Sequence, residues 1–112
     1  MDDAQVEARL LALREQTLAQ VRDLGLSRDD IVHASQDSNV DDEHDPEGAT
    51  IAYERSMLQA LLAQARVRLS EIDLACDRLA AGDYELCAVC GAPIGEARLE
   101  ARPTASRCLR HA

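Results

Sequence analysis

From residue 6 onward, apolar or small side chains return every three or four positions: Val6, Leu10, Leu13, Thr17, Val21, Leu24, Ser27, Ile31 and Ala34. A step averaging about 3.5 residues keeps them on one face and predicts a helix packed lengthwise on a partner. Strict alternation would put Gln20 on that face, and the stripe moves to Val21 instead. Thr17, Gly25 and Ser27 weaken it further, which leaves a kink or break near 25–28 open. Ser27 with Asp30 would suit a capping box for a second, short helix. The pattern restarts after Gly48 with Ile51, Leu58, Leu62, Ala65, Leu69, Ile72, Cys76 and Leu79, and has one weak position at Arg55. The two runs, 2–36 and 48–80, would each be about 50 Å long at about 1.5 Å per residue.

The stretch joining them is "QDSNVDDEHDPEG". So short a link places consecutive helices side by side and antiparallel, so residues 1–80 are predicted to form a helical hairpin. Asn39, Pro46 and Gly48 suit its turn. Asp37, Asp41, Asp42, Glu43, Asp45 and Glu47 load the tip, 37–47, with carboxylates. Two readings stay open there. The acids either solvate a loop and favour the N-terminus of the second helix, or form a charged end carried far from the rest of the chain.

Composition narrows the class. Of the 112 residues, 46% are hydrophobic but only 2% aromatic, which fits long aliphatic helices better than a compact mixed core. The formal net charge of −9 argues against a broad phosphate-binding surface. All the basic residues are arginine, which we read as a bias of the coding genome. The acidic start "MDDAQVEARL" lacks the basic-then-apolar order of a signal peptide. No apolar run approaches the roughly 20 residues of a membrane span. A cytoplasmic protein is expected.

In a reducing compartment, paired cysteine spacing points to metal more than to disulfides. Cys87-x-x-Cys90 and Cys108-x-x-His111 are separated by seventeen residues, a spacing that can close a tetrahedron around Zn²⁺. Gly91 lets the first turn bend back on its sulfurs. With Cys87, Cys90, Cys108 and His111 all bound, no coordination position is left for water, so the site would be structural and not catalytic. The alternative leaves His111 frayed at the end of the chain and three thiolates holding the metal with another donor. Cys76 falls on the helical seam and is excluded as a ligand; it reads as a small buried apolar residue. No phosphate loop, nucleophile elbow or paired nucleophile and base is present, so no enzyme is expected. The predicted fold is all-α with a small zinc finger: an antiparallel two-helix coiled-coil hairpin over 1–80 and a zinc-binding module over 81–112.

The segment "RLAAGDYELCAVCGAPIGEARLEARPTASRC" resembles the zinc-finger signature of the DksA/TraR family of bacterial transcription regulators. The likeness rests on Arg78-Leu79, Gly82 and Tyr84, Cys87-x-x-Cys90-Gly91, Ile94, Arg98-Leu99, and Arg102-Pro103 before Cys108. The hairpin and acidic tip match the family in architecture. What this resemblance implies is direct binding to RNA polymerase through its secondary channel, with the tip near the catalytic Mg²⁺ and no dependence on a specific DNA site. Some members act together with the alarmone ppGpp. Three departures stand out. The family's last ligand is cysteine, and here it is His111. The family's Asp-x-x-Asp-x-Ala tip is matched by Asp42-x-x-Asp45-x-Glu47, with glutamate in place of alanine. The chain ends at Ala112, without the helix that follows the finger in longer members, so contacts made by that helix, including any at an alarmone site, do not carry over. A zinc-stabilised adaptor docking on some other protein is the competing expectation, and nucleic-acid binding by the finger a weaker one.

Overall fold

The computed structural model describes residues 2–38 and 46–112, and the side chains of all of these except 28–38, 46 and 47. The chain is all-α, with α1 at Asp3–Ser38, α2 at Pro46–Ala81, a short α3 at Glu96–Ala101 and a 3₁₀ turn at Leu109–His111. Asp2 caps α1: its side chain accepts the backbone N–H of Ala4 at 3.1 Å, satisfying a donor that has no partner within the helix. The helix then runs unbroken through Gly25 and Ser27, so neither the break near 25–28 nor the second short helix forms. One glycine costs a helix about 1 kcal/mol relative to alanine, too little to interrupt a helix of 36 residues. α2 begins at Pro46, two residues before the expected 48, because proline suits a first helical position whose N–H would have no acceptor in the helix.

The chain divides into two compact units. One joins Met1–Gln16 to Arg68–Ala112, so the beginning of α1 packs antiparallel to the end of α2 together with everything that follows. Its core is Val6, Leu10, Ala75, Tyr84, Cys87, Ile94, Leu99, Ala105 and Cys108, with Cys76 and Leu79 packed against it. Ile72 is also fully buried in this unit. Ala75 lies one position off the predicted seam. It is buried because residues of the finger cover that side of α2, and its small side chain permits the close approach.

The second unit is Thr17–Val67. Among the described side chains the seam is thinner than expected, and the Ile31 and Ala34 side chains lie outside them. Thr17, Leu62 and Ala65 are buried, while Val21, Leu24, Ile51, Arg55 and Leu58 are half-buried. Gln20 is exposed, and the stripe passes to Val21 as the spacing predicts. Ser27 is exposed, so it takes no part in the seam.

Candidate metal centre

The site begins where α2 ends. Gly82 sits at φ 84, a left-handed conformation that glycine adopts without strain. Its N–H donates to the carbonyl of Leu79 at 3.2 Å, and that of Asp83 to the carbonyl of Arg78 at 2.8 Å. This crossed pair of bonds is a Schellman close, and it turns the chain back over the helix end. Arg78 then holds the turn in place. Its guanidinium donates to the carbonyls of Asp83, Tyr84 and Leu86, just before the first metal-binding pair, and to that of Ala105, just before the second. The Tyr84 hydroxyl donates to the carbonyl of Pro103 at 2.7 Å, and Arg98 Nε to that of Arg107 at 2.9 Å. Two loops distant in sequence are thus tied to one helix end.

Each pair of donors sits on its own tight turn. In the first, the Gly91 N–H donates to the Cys87 carbonyl at 2.9 Å, with Gly91 at φ 72, and the Val89 N–H points at Cys87 Sγ at 3.4 Å. Leu86 and Pro93 form an antiparallel bridge beneath that turn. In the second, the His111 N–H donates to the Cys108 carbonyl at 3.0 Å. The Ala88 N–H donates to the Ser106 carbonyl at 2.8 Å and joins the two turns.

The result is one cluster. The Sγ atoms of Cys87, Cys90 and Cys108 and a ring nitrogen of His111 all lie within 4.8 Å of one another. Cys90 and Cys108 are 3.7 Å apart, sulfur to sulfur. His111 Nδ1 is 3.2 Å from Cys108 Sγ and 3.9 Å from Cys87 Sγ. Zinc–sulfur and zinc–nitrogen bonds of about 2.3 and 2.0 Å imply tetrahedral edges of roughly 3.5–3.8 Å; the sulfur–sulfur separation falls in that range and the two nitrogen–sulfur separations lie close on either side of it. Cys87 and Cys108 are buried, His111 is half-buried and Cys90 is exposed, so the protein covers most of the site.

The electrostatics favour a cation. Backbone N–H groups, that of Cys108 first and then that of Cys90, hold the Cys87 thiol down to about 5. His111 lowers Cys108, and Cys108 in turn raises His111. At Cys90 the Ala92 N–H pulls downward, but the water lost where the turns crowd its sulfur and the neighbouring sulfurs of Cys87 and Cys108 outweigh it, so this thiol is raised although the residue is exposed. Thiolates at this spacing repel one another, and a divalent cation among them removes the repulsion.

Cys76 stays out of the cluster, as its seam position predicts, although it is half-buried where full burial was expected. Asp42 and Asp45 lie outside the described residues, as does the Glu47 side chain. Arg78 is the residue whose role spacing did not reveal. It belongs to the signature segment, but nothing local indicates which carbonyls it would meet.

Fold and site together define a two-helix protein closed by a small structural zinc finger. The sequence model of the prokaryotic dksA/traR C4-type zinc finger matches residues 82–110. An RNA polymerase-binding transcription factor DksA of Caulobacter vibrioides (strain NA1000 / CB15N) is 36% identical over 110 residues, spanning 95% of this chain and 72% of its own. The same protein of strain ATCC 19089 / CIP 103742 / CB 15 gives identical figures. The solved structure of transcription factor DksA2 from Pseudomonas aeruginosa superposes with a TM-score of 0.56 at 31% identity, covering 99% of this chain and 86% of that one. The chain belongs to the DksA/TraR family, whose finger carries one structural zinc. The matched segment ends one residue before His111, the position at which this chain departs from the four-cysteine type.

Proposed function

We propose that this chain is a transcription regulator that binds RNA polymerase directly, with Cys87, Cys90, Cys108 and His111 as the ligands of its zinc. Family membership over nearly the whole chain is the observation that carries the reading, since the relatives of similar sequence bear that function in their names. The clustering of the four donors supports the ligand set. In this reading residues 1–80 form the polymerase-entering hairpin and 81–112 the finger. The hairpin occupies the secondary channel, with Asp42 and Asp45, assisted by Glu47, turned towards the catalytic Mg²⁺, a cation that prefers carboxylate oxygens. The zinc is structural, and the protein is a regulator and not an enzyme. With a net charge of −9 it needs no specific DNA sequence, because phosphate is repelled. No described helix is long and apolar enough to cross a membrane, in keeping with a cytoplasmic partner. ppGpp has no assigned site in this reading.

The test is gel filtration of the zinc-loaded chain with core RNA polymerase, paired with transcription from a responsive promoter. Co-elution is expected. Asp42→Asn with Asp45→Asn is expected to leave co-elution intact and to reduce the effect on transcription. Absence of co-elution for the unaltered chain overturns the reading, and full regulation by the double variant removes the role of the tip.

A further inference from the structure

Within the unit formed by 1–16 and 68–112, a groove of about 380 Å³ opens between the first turns of α1 and the last turns of α2. Its walls are aliphatic: Ala4 and Leu11 on one side, Leu79 and Ala80 on the other, with Cys76 between them. Leu11 is 48% exposed, a large apolar side chain open to water on the α1 wall of the groove. Asp3 and Glu7 line the same groove from α1. Asp73 and Asp77 flank Cys76 on α2. Burial first, then Asp73 and Asp77, raise the Cys76 thiol; Arg14 pulls it down and Glu7 adds a further push upward. Arg14 is itself paired with Asp73 at 2.9 Å. The groove therefore combines an apolar floor with a negative surround.

That chemistry selects an occupant. A pocket for a small polar ligand needs several convergent polar groups to fix orientation, and the polar side chains lining this one are two acids of one helix face. A second copy would set Asp3 and Glu7 against negative counterparts across an isologous contact. An aliphatic or aromatic side chain flanked by lysine or arginine would bury its apolar part on Leu11 and Leu79 and place its cations beside the acids. We propose that this groove is a docking site for such a basic-flanked apolar side chain on the surface of RNA polymerase. The proposal rests on the reading of polymerase as the partner, and it adds a contact at the end of the hairpin opposite the acidic tip in sequence.

Cys76 supplies a reporter within the groove. The zinc-loaded chain is treated with a maleimide, alone and with core polymerase at about ten times Kd, and modification of Cys76 is followed by peptide mass spectrometry. Mass action then leaves about a tenth of the chain free, so the Cys76 rate is expected to fall about tenfold. Glu7→Lys is expected to weaken co-elution about tenfold at low salt and less at high salt, as rim charges do, with zinc content and helicity unchanged. If the chain co-elutes with polymerase while Cys76 reacts at its free rate, or if Glu7→Lys binds normally, the groove is not the contact and the polymerase reading stands. If the unaltered chain does not co-elute, both fall.

Discussion

The two units are built from the same pair of helices but held together by different means. In Thr17–Val67, the buried side chains among those described are Thr17, Leu62 and Ala65, a narrow seam of one small polar, one large and one small apolar residue. In the unit of 1–16 and 68–112, Leu10, Ile72 and Leu99 are fully buried, and the core extends from both helices into the finger. Burying a leucine or isoleucine contributes about 1.5–3 kcal/mol, so these three outweigh the one large side chain, Leu62, that is buried among the described residues of the other unit. The lesson is that a helix pair with a sparse seam depends on helical continuity, whereas a finger of some thirty residues depends on its metal and on hydrogen bonds across long sequence separations.

The sharpest way to break this contrast is to remove the metal. Cys87→Ser, or chelation of the native protein, is expected to unravel the segment after Ala81 while most helical ellipticity remains. Structural zinc contributes on the order of 10 kcal/mol to folding in small finger domains. Metal content and proteolysis after residue 81 check this. Cys76→Ser is expected to keep a full complement of zinc, and half-occupancy there would mean that the ligand set is misassigned.

Acid should act on the same unit. The folded-state pKa of Cys87, about 5, lies below its ordinary 9.0. Its thiolate therefore favours the folded finger fully above pH 9, progressively less as pH falls, and not at all below about 5. The raised His111 lets protons compete with metal for this nitrogen at a higher pH than for a free histidine. Zinc release followed with a chromophoric chelator is expected to be complete below pH 5, ahead of any loss of helical signal.

Cavity substitutions compare the units directly. Leu99→Ala is expected to cost about 3–5 kcal/mol and Leu62→Ala about 2 kcal/mol, read from denaturant midpoints. Equal costs would show the two cores to be equally tight. Arg78→Ala is expected to cost about 2 kcal/mol and to weaken zinc binding, because one guanidinium serves four carbonyls. Arg78→Lys keeps the charge but loses the planar fork and should recover only part of this. The smallest effect is expected at Gly25, where an added Cβ would meet no atom within 4 Å. Gly25→Ala is expected to stabilise by about 0.5–1 kcal/mol, seen as a higher thermal midpoint.

The legible part of this protein was periodic or short-range. A 3.5-residue step in aliphatic side chains predicts two paired helices, because burial of one face is what makes long helices pack. Cys87, Cys90, Cys108 and His111 could be singled out from spacing, and the structure brings their donor atoms together, because tight turns and a tetrahedral ion admit few alternatives. Helix ends were less legible. Gly25 weakens a local propensity by less than the rest of a 36-residue helix supplies, and Pro46 and Gly48 are compatible with either a turn or a helix start. Arg78 reaching Ala105, Tyr84 reaching Pro103 and the burial of Ala75 under the finger were decided only by the tertiary structure. Each depends on which distant carbonyl or side chain arrives at a helix end, and that is set by how the loops close around the metal site, with no signature in the adjacent residues.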